Sequence, residues 1–243
     1  MNFFYAALLG IVQGVTEWLP VSSSAQVTIV GSLTEMTIQE AFSFALFLHF
    51  GTLMAVLVKF RDIKLYLTRF IVIATAVTGV IGVPLYFFVQ YSGELISVII
   101  GVSLILTGLI LRFSQRQFGT TRYEESTSMD SFIAGFFQGF SILPGISRSG
   151  VTVSSLLFRG FSQEEALKIS FLMSVPAVIG GIILDAVKNP ELLVFHSQYI
   201  VIGIIFAFFA GYLAMDVLLK VAKKVPFDLF CIAFGILTLV ILW

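Results

Sequence analysis

The chain has 243 residues, of which 58% are hydrophobic and 12% charged, with a formal net charge of zero. Soluble domains carry about 25% charged residues, so this composition excludes an ordinary soluble core and points to a polytopic membrane protein. The charge balance gives no case for nucleic acid. With Cys231 as the only cysteine, an intrachain disulfide and a Cys-rich metal site are excluded. His49 and His196 lie too far apart in sequence for a zinc pattern. The start turns apolar at Phe3 with no basic region ahead of it, which does not read as a cleaved signal peptide.

A membrane helix needs about 20 mostly apolar residues. In chain order, the first apolar stretch, residues 3–32, is interrupted near Pro20 by Glu17 and a serine run. Three continuous spans follow, at 41–59, 70–91 and 95–112, and then a polar linker at 113–130. A second broken stretch, 131–158, is interrupted around Pro144 by Gly145, Ser147, Arg148 and Ser149. Spans at 166–187, 199–219 and 227–243 complete the chain. Lipid offers no partner to an open backbone, so each polar break must be buried in protein or line a wet cavity. The reading is an all-α integral membrane protein with six transmembrane helices and two re-entrant helical hairpins.

The basic residues fit that map. With the 59–69 loop in the cytoplasm, every Lys and Arg lies inside except Lys188, which is outside, and Arg148, which is in a hairpin. Such Lys/Arg bias in short loops sets orientation, and here it puts both termini outside the cell membrane. The segments Gly10-Ile-Val-Gln-Gly and Gly135-Phe-Phe-Gln-Gly both precede a proline and a serine-rich turn. Each is followed by three spans, so the second copy enters inverted. The expected organisation is a single membrane domain with an inverted-topology repeat: repeat 1 about 1–112, repeat 2 about 131–243. In transporters such repeats place a binding site at broken helices near the midplane.

Helix starts at the two breaks offer backbone N–H groups to an anion. Ser22, Ser23 and Ser24 add hydroxyls at the first, and Ser147, Ser149 and Thr152 at the second. Arg148 adds a planar, permanently charged fork suited to phosphate oxygens, and an arginine at membrane depth is a functional hypothesis by default. Glu17 is the acid available for general-base work. Together these residues read as a pocket for a phosphate-bearing anion.

QGVTEWLPVSSS at 13–24, FLHFGTLMAV at 47–56, PGISRSGVT at 144–152 and FSQEEALKISFLMSVPAVIGG at 161–181 resemble the undecaprenyl-diphosphate phosphatase family, also called bacitracin-resistance phosphatases. The resemblance runs from about residue 6 to the C-terminus. It implies removal of the terminal phosphate from a polyprenyl diphosphate carrier in the cell membrane, with a divalent cation, Mg²⁺ or Ca²⁺, and lipid as the partner. It implies Glu17 as base or metal ligand and Ser23 as nucleophile or phosphate ligand. It also makes Arg148 catalytic, and Gln13, Ser22, Ser24, Gln26, Ser147, Ser149 and Thr152 substrate-binding. A homo-oligomer is a further expectation. Two positions depart from the pattern: the first acid of E-x-x-x-E is Gln13, and the histidine ending S-S-x-x-H is Gln26. Glutamine cannot exchange a proton near neutral pH. His49 is expected to pack or to orient a site group. Because that histidine is missing, a transporter of a polyprenyl phosphate and a non-hydrolytic lipid-phosphate-binding relative stay open beside the phosphatase.

Other polar residues take plainer readings. Asp185 and Asp216 are expected at the membrane interface, Ser162 with Glu165 as a capping box, and Gly79, Gly82, Gly180 and Gly181 as close helix contacts. His196 is expected in an outer loop at 188–198.

Overall fold

A computed structural model describes residues 2–34, 36–59, 68–114, 119–222 and 227–241. Arg61, Lys64, Arg116, Lys223 and Lys224 of the charge map lie outside the described residues. Among the described residues there are ten α-helices: α1 (Phe3–Thr16), α2 (Ser23–Ser32), α3 (Ile38–Lys59), α4 (Thr68–Gln90), α5 (Ile96–Ser114), α6 (Ser128–Gly139), α7 (Arg148–Phe158), α8 (Gln163–Lys188), α9 (Pro190–Ala222) and α10 (Phe227–Ile241). The sole β pairing among the described residues is an isolated bridge between Thr121 and Phe161.

Among the described residues five helices are long and apolar enough to cross a membrane: α3, α4, α5, α8 and the Ser197–Val217 stretch of α9. Their outer faces carry large apolar side chains in the open, among them Val80 at 73% and Leu213 at 74%. Water would penalise so much exposed hydrocarbon, whereas lipid does not. This is a multi-pass membrane protein. The sixth expected span, α10, has 15 residues. The arms of the two broken stretches are shorter still: α1 has 14, α2 10, α6 12 and α7 11. At 1.5 Å per residue none exceeds about 21 Å, against a hydrocarbon core of about 30 Å.

The helices divide into two compact units, each discontinuous in sequence. The first comprises residues 1–61 and 178–225. Here α1 and α3 pack on α9, and α2 packs on α1 and α3. Small residues permit the approach. A Cβ on Gly10 would run into the Gly203 carbonyl, and one on Gly51 into the Ile204 carbonyl. Around these contacts Leu9, Val27, Phe44, Leu48 and Ile200 form a buried apolar cluster.

The second unit comprises residues 62–177 and 226–243. Here α5 packs on α10, α4 on α6, and α7 on α5 and α6. A Cβ on Gly135 would strike the Ala74 carbonyl, and one on Gly108 would come within 2.6 Å of the Asp228 carbonyl. Phe70, Leu156, Phe161, Ile169 and Met173 fill the core. Asp130 caps α6 through Thr127 and pairs with Arg159 at 2.6 Å. Burial pushes the Asp130 carboxyl up, but the Thr127 hydroxyl and amide and the Arg159 guanidinium outweigh it and hold it below the usual carboxylate range.

Asp185, near the end of α8, is fully buried in the protein and accepts hydrogen bonds from Ser43 (3.0 Å) and Asn189 (2.9 Å), which compensate its removal from water. Several plain readings need correction. A Cβ at Gly79, Gly180 or Gly181 would meet nothing within 4 Å among the described residues; only Gly82 sits near a backbone, 3.5 Å from the Gly139 carbonyl oxygen. Residues 190–198, expected as loop, are the first turns of α9, because Pro190 is pre-set for a helix start. The capping box is half formed. Ser162 accepts from the Glu165 amide at 3.3 Å, but the Glu165 carboxylate accepts from the Tyr123 amide and Lys168 instead. Asp216 stays exposed and pairs with Lys59 at 2.6 Å.

Candidate active site

In the first unit α1 ends at Thr16 and the chain turns through Pro20. Ser22 is the only non-glycine among the described residues with a positive φ, at 58°. A side chain in this left-handed region is strained, and such strain persists only where the surroundings impose it. Its effect is local and specific. It swings the chain back so that α2 begins at Ser23, with that side chain facing the end of α1. The first amides of α2 have no acceptor within the helix, the arrangement that suits an anion at a helix start.

The Ser23 hydroxyl donates to Glu17 Oε2 at 2.6 Å, and the Gln13 amide Nε2 donates to the same oxygen at 2.8 Å. His49 Nε2 lies 3.4 Å from it as well. Gln13, Glu17 and Ser23 are all buried, with Glu17 6% exposed. A carboxylate so enclosed is offset by charge-assisted donors, and the short Ser23 bond is of that kind. The other expected residues of this turn are arranged differently. Ser22 and Ser24 face one another at 3.3 Å. Gln26 points its amide at the Val21 carbonyl, 3.4 Å away, and closes the turn.

The second unit carries the other motif. Gly145, at φ +104°, makes the turn; a Cβ there would press on the Ile100 carbonyl. Thr107 on α5 clamps it, donating to the Gly145 carbonyl at 3.0 Å and accepting from the Ser147 amide at 3.1 Å. Ser147 caps α7 by accepting from the Gly150 amide at 3.2 Å, and its oxygen lies 3.4 Å from that of Ser149. Arg148 is the first residue of α7 and is half-buried. Thr152 is fully buried, donates to the Arg148 carbonyl at 2.7 Å and meets Ser170 at 2.5 Å, so its hydroxyl organises α7.

Sequence reasoning had no signal for Thr107, an isolated threonine in an apolar span. It had a signal for Gln138, which the repeat aligns with Gln13, but gave it no role. Gln138 is buried and donates to Thr78 and to the Met173 carbonyl.

A divalent cation takes several oxygen ligands. Among the described residues no three His, Cys, Asp or Glu side chains converge. Gln13, standing at the position of the family's first acid, turns a donor toward Glu17 rather than a second negative charge. By themselves these side chains do not fit a resident divalent cation.

In this multi-pass helical protein a buried carboxylate thus holds a serine hydroxyl at a helix start. The sequence matches the family described as bacitracin resistance protein BacA over residues 6–240, and the chain belongs to that family. Similar proteins described as undecaprenyl-diphosphatase occur in Methanothrix thermoacetophila (43% identical, covering 98% of this chain and 96% of the relative) and Methanococcoides burtonii (39%, 96% of each). Another is found in Methanopyrus kandleri (36%, 99% and 96%).

Proposed function

We propose that this protein is an integral-membrane phosphatase that removes the terminal phosphate of a polyprenyl diphosphate of the undecaprenyl type, regenerating the lipid monophosphate carrier. The observation that carries the mechanism is the Ser23–Glu17 hydrogen bond. In the first step Ser23 Oγ forms a bond to the terminal phosphorus and its proton passes to Glu17. The bond from that phosphorus to the bridging oxygen breaks, and the lipid monophosphate leaves. In the second step water gives its hydroxyl to the phosphorus, the Ser23 Oγ–phosphorus bond breaks, and Ser23 takes a proton back. Inorganic phosphate departs. Within the first unit the start of α2 and Ser22 and Ser24 are assigned to the phosphoryl oxygens; within the second, Ser147, Arg148, Ser149 and the start of α7 are read as a separate group of anion-binding character.

Within the same reading, α1–α2 and α6–α7 are two re-entrant hairpins of an inverted repeat, with both termini outside. Helix packing supports the repeat. The fourth helix of each half packs on the first helix of the other: α9 on α1, and α4 on α6. A Cβ on Gly211 of α9 would lie 3.6 Å from the Gly14 carbonyl oxygen, and one on Gly82 of α4 3.5 Å from that of Gly139. Gly14 and Gly139 are the matching second glycines of the two G-x-x-Q-G segments.

The test is phosphate release from a polyprenyl diphosphate by the purified protein in lipid nanodiscs. Release with formation of the monophosphate is expected. Binding of the lipid without release would overturn the phosphatase reading in favour of a carrier or a non-hydrolytic relative.

A further inference from the structure

We infer that the second unit holds a phospholipid at its membrane boundary, in a cleft that takes a head group carrying both a phosphate and an ammonium. The inference stands apart from the proposed reaction and uses none of its residues. The cleft measures about 610 Å³ and lies where α4 and α6 begin, beside the short turn Tyr123–Glu125. That volume falls among the clefts that hold small molecules, about 300–1,000 Å³. Its lining residues all belong to the second unit.

Among the described residues Arg69 and Glu124 are the charged side chains that line the cleft, and both are exposed. Arg69 Nη2 donates to the Ser128 hydroxyl at 2.9 Å, which sets the guanidinium beside the start of α6. That bond uses one of five N–H donors, and the planar fork suits two phosphate oxygens. Ser126 adds a hydroxyl to the lining. Glu124 lies in the short turn with Tyr123, whose ring also lines the cleft and meets Phe70 edge-on, centroids 6.3 Å apart. A carboxylate and an aromatic face both attract an ammonium. The turn is held in place: the Tyr123 amide donates to Glu165 Oε2 at 3.3 Å, and the Ser126 amide to the Tyr123 carbonyl at 2.9 Å. The neighbouring acids are answered within the protein. Glu125 accepts from the Arg122 amide, and buried Asp130 from Thr127 and Arg159. A simple anion in this cleft would meet the Glu124 charge, and a simple cation that of Arg69. A ligand with one charge of each sign satisfies both.

The helices that frame the cleft make that ligand a lipid. Arg69 opens the apolar stretch Arg69–Gln90, so the cleft sits where hydrocarbon gives way to water. Residues three or four apart share a helix face. Val72, one turn on from Arg69, is exposed, and so are Phe132, one turn on from Ser128, and Phe136, a further turn along α6. On both helices the face that carries a polar lining residue therefore continues into open apolar side chains. The acyl chains follow that face while the head group stays in the cleft. A water-soluble zwitterion would make no use of it.

The experiment is native mass spectrometry of the full chain in detergent, titrated with phosphatidylethanolamine, phosphatidylglycerol or free phosphoethanolamine. One phosphatidylethanolamine should bind saturably to wild type. Arg69→Gln should weaken it about 10- to 100-fold, the loss of a charge-assisted phosphate contact. Glu124→Gln should weaken it about three- to fivefold, as for an exposed ion pair. Phosphatidylglycerol should bind wild type more weakly than phosphatidylethanolamine and gain on Glu124→Gln, because the acid that repels it is gone. Free phosphoethanolamine should bind far more weakly than the lipid. Phosphatidylethanolamine binding within about twofold of wild type in both variants overturns the site, since lipid held by the apolar surface alone is indifferent to these charges. Phosphatidylglycerol bound as tightly as phosphatidylethanolamine overturns the zwitterion, and free phosphoethanolamine bound as tightly as the lipid overturns the lipid. Thermal midpoints check that the variants fold. Should Arg69→Gln not fold, Arg69→Lys keeps the charge without the fork: weaker binding supports the phosphate contact, and unchanged binding overturns it.

Discussion

Glu17→Gln tests the reaction at its centre. The change is nearly isosteric, and the amide oxygen can still accept from Ser23 and Gln13, so the turn that holds Ser23 is kept. What is lost is the negative charge at the end of a 2.6 Å hydrogen bond. Removing a general base costs 10²- to 10⁴-fold, and a hydrogen bond to a charged group contributes about 1.5–3 kcal/mol. Since the Ser23 bond is short and Glu17 is 6% exposed, the loss should fall in the middle of that range. We expect kcat to drop about 10³-fold, or about 4 kcal/mol of barrier. KM should stay within about threefold, because Glu17 lies behind Ser23. The assay is phosphate release in nanodiscs, with the thermal midpoint of each variant as the folding control. The same proton leaves Ser23 and arrives at Glu17, so the two residues act as a unit. The Glu17→Gln/Ser23→Ala double variant should be no slower than the slower single variant. Additive losses, or Glu17→Gln activity within threefold of wild type, would refute a shared proton and with it the assignment of Glu17 as base.

Two further predictions concern stability. Gly51→Ala should lower stability by about 1–3 kcal/mol, because the Cβ would press on the α9 backbone, whereas Gly79→Ala, which meets nothing within 4 Å, should be neutral or stabilising by up to about 1 kcal/mol; thermal midpoints in one detergent compare the two. Asp130→Asn should lose the Arg159 pair and weaken the α6 cap. The folded carboxyl is held below its unfolded value, so its contribution is present above about pH 4 and is lost as pH falls through the depressed folded value. Melting curves should therefore separate wild type from Asp130→Asn at pH 7 and bring them together in strong acid.

The membrane character was legible in composition, and most helices in their apolar lengths, since hydrocarbon-facing surface leaves a continuous signature in the chain. The motifs were legible as well. Glu17 and Ser23 are six residues apart, and one local turn brings them together, so a linear pattern sufficed. Ser147 and Arg148 likewise begin α7 where the proline and glycine of their motif place the break. The linear record failed where partners come from distant helices. Gly79, Gly180 and Gly181 resemble close-contact glycines but have open space beside them, while Gly51, which had no such reading, is pressed against α9. Nor did spacing show that Ser43, from α3, supplies a donor to the buried Asp185.

The sequence alone determined the helical membrane class, the two broken segments and the identity of the acid and hydroxyl at the first. It also exposed Gln13 and Gln26 as departures. Only the tertiary structure decided what surrounds the Glu17 carboxylate. Gln13 became a donor to Glu17 in place of a second carboxylate. His49 reached the same oxygen from α3, because that helix packs on α1, α2 and α9. A hydrogen-bonded proton needs approach within a few ångströms, and spacing along the chain does not record such distances between separate helices.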